Sequence, residues 1–174
     1  MSDLMTQRDL ARRLEQTQVT ERPGGVTGFD TFYATGSFTP TLVGIGTAGT
    51  FTYDATETFC NWTRIGNRIA FNGRVRITAI AVAAVGGLTI SGFPFVAATL
   101  TTGSQPAGGA TMIGWTLTTP ATYYHVTGSF VEGESRIRLL RNSINVLPAA
   151  VQGGEFVLVG GVGDFLFEGQ YQVA

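Results

Sequence analysis

The chain has 174 residues, of which 44% are hydrophobic and 13% charged, against a usual charged share of about 25%. Its net charge is −1, which argues against nucleic acid as the main partner, because phosphate binding needs a basic field. A single cysteine, Cys60, and a single histidine, His125, exclude an internal disulfide and a metal centre of the Cys/His kind. No apolar run reaches the ~18 residues of a membrane span, and the N-terminus is charged rather than signal-like. The expectation is a soluble protein made in a cytosol, with no membrane partner. A surface so poor in charge must be wetted by Thr, Ser, Asn and Gly, or covered by partners. All eleven cations are arginine. Two readings stand: lineage bias, or a use of the planar guanidinium at interfaces.

Residues 1–22 differ from the rest. Asp3, Arg8, Asp9, Arg12, Arg13, Glu15, Glu21 and Arg22 are charged, and 3–18 contain no Gly, Pro or aromatic residue. Leu4, Ala11 and Leu14, with Leu10, recur at a helix period. Thr6-Gln7-Arg8-Asp9 has the spacing of a capping box, with Asp9 in the acidic place. Pro23-Gly24-Gly25 ends the helix. So short a helix with a thin apolar stripe is marginal alone. It is either a frayed tail or a segment that anchors the chain or bundles with copies of itself. The organisation expected is a helical segment at 1–22, a linker at 23–35 and a β domain at 36–174.

Beyond the linker the pattern is that of strands. In 68–80, Ile69, Phe71, Val75, Ile77 and Ala79 alternate with Arg68, Asn72, Arg74, Arg76 and Thr78. Gly73 interrupts the inner set, as at a bulge or a close backbone approach. The row Arg68, Arg74, Arg76 reads as a solvated edge or a subunit contact. Further strands are expected at 88–91, 95–100, 111–117, 123–130, 136–140, 155–159 and 165–171, the last with Phe165, Phe167, Gly169 and Tyr171 on one face. About ten short strands with frequent Gly and Pro turns favour an all-β, antiparallel β-sandwich, jelly-roll-like, over any βαβ arrangement.

Five stretches, in this order, carry a resemblance: Gly36-Ser37-Phe38-Thr39-Pro40-Thr41-Leu42; Gly49-Thr50-Phe51-Thr52-Tyr53; Trp62-Thr63-Arg64-Ile65-Gly66-Asn67-Arg68-Ile69-Ala70-Phe71; Leu88-Thr89-Ile90-Ser91-Gly92-Phe93-Pro94-Phe95; and Phe167-Glu168-Gly169-Gln170-Tyr171. The set resembles a β-sandwich module of bacteriophage tail fibres, head fibres and related virion appendages. Trp62 and Phe93 stand where that module usually has Tyr and Leu. The likeness is good over 36–95 and at the final strand, and weak between 96 and 155. It implies a virion protein that self-assembles as a homotrimer. It supplies no catalytic residue. The motifs also make local sense. Gly66-Asn67 is a tight-turn pair, Pro94 blocks ladder donation, and Pro40 holds Thr39 extended.

A triad would need His125 as its base, but Tyr123-Tyr124-His125-Val126 reads as a strand. Cys60, among aromatics, reads as an inert buried thiol. Asp54 with Glu57, and Glu132 with Glu134, are the acid pairs to weigh for glycoside cleavage. Both read as solvated turn acids, too few for Ca²⁺. Gly160-Gly161-Val162-Gly163-Asp164 joins two strands, so it lacks the helix that would hold phosphate. Trp115, Tyr123 and Tyr124 could stack on sugar rings if exposed, though packing or a subunit contact is the plainer role.

The expectation is therefore a non-enzymatic virion protein with no cofactor, no metal and no nucleic-acid partner, assembled in the host cytoplasm. In the leading form it is a capsid decoration, cement or head-fibre subunit. There the N-terminal segment docks on the major capsid protein or another virion protein, since only about 35 residues precede the β domain rather than a shaft. The alternative is the receptor-binding tip of a tail fibre or tailspike that recognises cell-surface glycan.

Overall fold

The computed structural model describes residues 33–99, 107–115, 125–143 and 146–173. The expected helix at 1–22, most of the expected linker, Tyr123 and Tyr124 lie outside the described residues. Eleven strands follow in order: β1 (Tyr33–Phe38), β2 (Thr41–Gly44), β3 (Thr50–Tyr53), β4 (Phe59–Ile65), β5 (Arg68–Val82), β6 (Leu88–Ser91), β7 (Gly108–Trp115), β8 (His125–Phe130), β9 (Arg136–Ser143), β10 (Val146–Ala150) and β11 (Gly163–Gln172). The only other regular element among the described residues is a 3₁₀ turn at Gly153–Glu155. No helix among them is long and apolar enough to cross a membrane. The described part of the chain is thus all-β, as its alternation indicates.

Every strand pair is antiparallel, and the strands join in one sheet of order β1-β4-β5-β11-β7-β8-β9-β6-β2, with β3 on β5 and β10 on β9. Where a sandwich would have two sheets, this molecule has two flanks of one connected sheet that curls over its own inner face. Contacts between strands far apart in the sheet order record the curl. Phe71 on β5 lies 5.6 Å from Phe130 on β8 and 5.1 Å from Phe93 after β6. At the far edge, the Leu42 amide of β2 donates to the Tyr53 hydroxyl of β3 at 2.9 Å.

The inner face is filled by the residues that alternation selects. Ile69, Val75 and Ile77 of β5, and Phe165 and Phe167 of β11, are fully enclosed, with Phe71 and Tyr171 nearly so. Phe130 stacks on Tyr171 at 4.0 Å, and the Tyr171 hydroxyl donates to the Phe95 carbonyl at 3.2 Å. Two buried hydroxyls are satisfied by backbone. Thr89 donates to the Val43 carbonyl, and Thr58 both donates to the Arg76 carbonyl and accepts from its amide.

Several expectations change in detail. β1 opens at Tyr33, so 33–35 are strand rather than linker. Ala79 is exposed, because β3 pairs Tyr53 with Ile77 but Thr52 with Ala79, leaving Thr78 as an extra residue that shifts the alternation. Residues 95–99 form no ladder. Ala97 and Ala98 instead donate to the Glu134 and Gln172 carbonyls as the chain crosses one end of the core. Residues 156–159 are likewise outside the strands, and Phe156 plugs the core against Phe165 and Phe51. β10 was not anticipated; it follows β9 as its antiparallel partner.

Gly73 is a close approach and not a bulge, since its register is continuous with both neighbours. A methyl there would stand 2.7 Å from the Phe59 carbonyl oxygen and 2.8 Å from the Phe167 ring. Gly73→Ala is expected to lose stability by about 1–3 kcal/mol through overpacking. Gly154→Ala, which meets nothing within 4 Å, should stay within about 0.5 kcal/mol. Urea unfolding of the two variants checks both; equal midpoints would contradict the packing described.

Candidate functional site: clamped turns and a polar outer face

The residues singled out for chemistry separate into structural roles. Cys60 is fully buried in β4, and burial pushes its thiol up to about 12. A thiol that stays protonated is no nucleophile near neutral pH. His125 opens β8 at the surface, opposite Asn142. Trp115 ends β7. Gly160 and Gly161 form a tight turn between Val159 and Val162 that delivers Asp164 to the start of β11.

Three of the four turn acids, Asp54, Glu57 and Glu134, face arginines, whereas Glu132 forms no ion pair among the described residues and its Oε1 is buried without a hydrogen-bond partner. Arg74 reaches Asp164 on β11 through Nε at 2.9 Å and also pairs with Glu57 of the β3–β4 turn. The Asp164 carboxylate, hydrogen-bonded to it, holds the Arg74 guanidinium above its ordinary value. Arg76 lies 3.9 Å from Asp54. Asp54 itself closes the turn, accepting from the Thr56 hydroxyl and from the amides of Thr56 and Glu57, and these bonds hold its carboxyl below the usual range. Glu134 accepts from Arg136 Nε at 2.7 Å and faces Arg138, and the Arg136 bonds hold it low as well. Arg141 pairs with Glu155 of the 3₁₀ turn. Arg74 of the expected cationic row is therefore committed within the chain, and Arg76 faces Asp54 with its Nε buried and without a hydrogen-bond partner. Only Arg68, exposed at the start of β5, keeps the open position expected of the row. β5 is an interior strand, not an edge. Among the described residues, no group of three or more His, Cys, Asp or Glu converges as a metal site would require.

Between these pairs lies the outer face of β1, β4, β5, β11 and β7. Register places Ser37, Asn61, Asn72, Glu168 and Thr111 in one transverse row, all exposed. Beside it runs the row Thr35, Thr63, Ala70, Gln170 and Gly109. A shallow groove of about 220 Å³ follows β4 and β5 here, lined by Asn61, Trp62, Thr63, Ala70, Phe71 and Asn72. Tyr33 and Ile65 flank it on one side and Phe59 on the other, all more than two-fifths exposed. The period-2 alternation of Phe59, Asn61, Thr63 and Ile65 signals an outer face in the sequence. Which residues of five strands share a row is set only by pairing.

The clamps carry a pH dependence. Asp54 and Glu134 have depressed folded values, so their contribution is fully present above the unfolded carboxylate range, about 3.9–4.3, and is lost as pH falls through the folded values. Glu134→Gln is expected to lower Tm at pH 7 and to converge on the parent as pH falls through the folded value of Glu134, below which both side chains are neutral. Thermal melts across that range decide it; a constant offset at all pH values would refute the clamp.

No family model matches the chain, and no curated protein matches it. Among solved structures, the crystal structure of the Dettilon tailspike protein is similar at 19% identity, with a TM-score of 0.64 over 82% of this chain. The chain spans about a quarter of that tailspike, 24% of its length. At this identity the likeness is one of fold: the curled all-β sheet described here is an architecture that a bacteriophage tailspike also contains.

Proposed function

We propose that the chain is a binding and assembly module of a bacteriophage virion appendage of the tailspike or tail-fibre kind. The single observation that carries the reading is the shared fold with part of a tailspike. The residues that resemble phage appendage modules give it independent support, because they occupy fold-making places. Gly66-Asn67 is the two-residue turn between β4 and β5, Phe93 packs on Phe71, and Tyr171 closes the core. Capsid decoration, the leading expectation from the sequence, gains no specific support from this fold.

The mode of action in this reading is binding, not catalysis. A glycosidase needs one carboxyl held protonated near neutral pH and a second held ionised. The arginine bonds push Glu134 the opposite way, and Glu57 is bound to Arg74. Assembly is as a homotrimer, the state implied by the resemblance.

Immunogold labelling of intact particles tests the location. Label at the tail supports the reading, and label over the capsid shell replaces it with decoration. Light-scattering mass of the full chain tests the assembly. Three times the chain mass is expected, and a stable monomer would sink the trimer.

A further inference from the structure

We infer that the outer face of β1, β4, β5 and β11 is a contact between copies of this chain, in which Arg68 of one copy pairs with Glu168 of the next. This deepens the proposed function by giving the assembly a face and a charge pair, and it rests on that reading only for the number of copies.

Charge is the first argument. Ion pairs within the chain absorb most of the charged side chains among the described residues. Arg64 is held by the Gly66 carbonyl and lies over the Phe95 ring, and Glu132 is half-buried. Arg68 is then the one exposed cation, and Glu168 the one exposed anion, whose side chain has no partner among the described residues. Both stand on the outer face. Arg68 lies opposite Gln172 of β11, and Glu168 lies opposite Asn72 of β5. Four residues of β11 separate the two positions, roughly 13 Å along the strand, and the two form no ion pair within the chain.

An exposed charge alone is well hydrated and needs no partner. The surface beside each of these two supplies the second argument. Pairing sets Tyr33 beside Ile65, and Ile65 beside Arg68, in one transverse row. At the other end of the face Phe59, Arg74 and Leu166 share a row, and Glu168 follows Leu166 on the same side of β11. The four apolar side chains are open to solvent, Tyr33 at 54%, Ile65 at 53%, Phe59 at 43% and Leu166 at 37%. Arg74 is committed to Asp164 and Glu57, so it brings no free cation to this second end. Each end therefore offers an aromatic ring, an aliphatic side chain and one uncommitted charge, and the two charges are opposite. When one end meets the other end of a second copy, Arg68 reaches Glu168, and apolar surface that each copy leaves in water is covered. Arginine and aromatic rings are the residue types favoured at such contacts. A contact between unlike patches runs head to tail, and it closes into a ring of three when its rotation is a third of a turn.

Light scattering of the full chain over a dilution series reads the contact. R68E and E168R each set like charges against one another across it. Each should raise the concentration at which the assembly dissociates at least about tenfold, as juxtaposed like charges do. The R68E/E168R double variant restores an opposite pair between copies and should return to within about threefold of the parent. Both positions are exposed, so circular dichroism of each variant should match the parent. Should a reversal fail to fold, Y33S and F59S supply one variant at each end, and each is expected to weaken the assembly. Assembly unchanged by both single reversals overturns the inference, as does a double variant no tighter than the singles. Three times the chain mass in the parent and in both reversals rejects this contact and leaves the trimer standing. Twice the chain mass, with rescue by the double variant, supports the contact and sinks the trimer. A parent that is monomeric at every concentration overturns both.

Discussion

Phe71 sits where the two flanks of the sheet meet, within about 6 Å of Phe93, Phe130, Phe167 and Tyr171. These rings come from β5, β8, β11 and the turn after β6, so the cluster joins parts of the chain far apart in sequence. Aromatic side chains combine large buried area with tilted and edge-on ring contacts. A flat sheet would leave one face of these rings in water. Curling the sheet buries both flanks against one another, and the remaining features follow from that closure. The Tyr53 hydroxyl reaches Leu42 on the far edge, and Phe93, Ala97, Val151 and Phe156, from segments outside the strands, are buried in the core.

Closure divides the labour between the two faces. Inside, the core needs no charge and tolerates only hydroxyls with backbone partners. Outside, the few charges gather where turns must be held down. Arg74 and Arg76 pin the β3–β4 turn, Arg136 and Arg138 meet Glu134, and Arg141 meets Glu155. A guanidinium can engage two carboxylates at once with its fixed fork of donors, as Arg74 does with Asp164 and Glu57. Between these clamps, the broad face of β1, β4, β5, β11 and β7 carries amides and hydroxyls together with exposed Glu168 and Arg68. That mixed polar surface is what gives a binding role physical substance.

The sequence was most legible where one strand reports its own burial. Ile69, Phe71, Val75 and Ile77, and again Phe165, Phe167 and Tyr171, alternate as a half-buried strand must, and each is buried. Gly66-Asn67 announced its turn. Legibility failed where apolar residues cover the core without joining a ladder. In residues 95–99 and 156–159 only Ala97 and Phe156 are buried, while Val96 and Val159 are exposed; their apolar composition resembles that of a strand but does not record hydrogen bonding. The extra residue Thr78 is similarly silent: nothing in its identity marks the shift that exposes Ala79.

By itself, then, the sequence determined the all-β class, the inner faces of the long strands, the inertness of Cys60 and the scarcity of charge. Each depends on local period, residue type or a count. The tertiary structure decided the single connected sheet, the pairing of Arg74 with Asp164 across 90 residues of chain, and the alignment of Asn61 with Asn72 in a groove. These depend on strand register, and a shift of one residue would turn every one of those side chains to the opposite face.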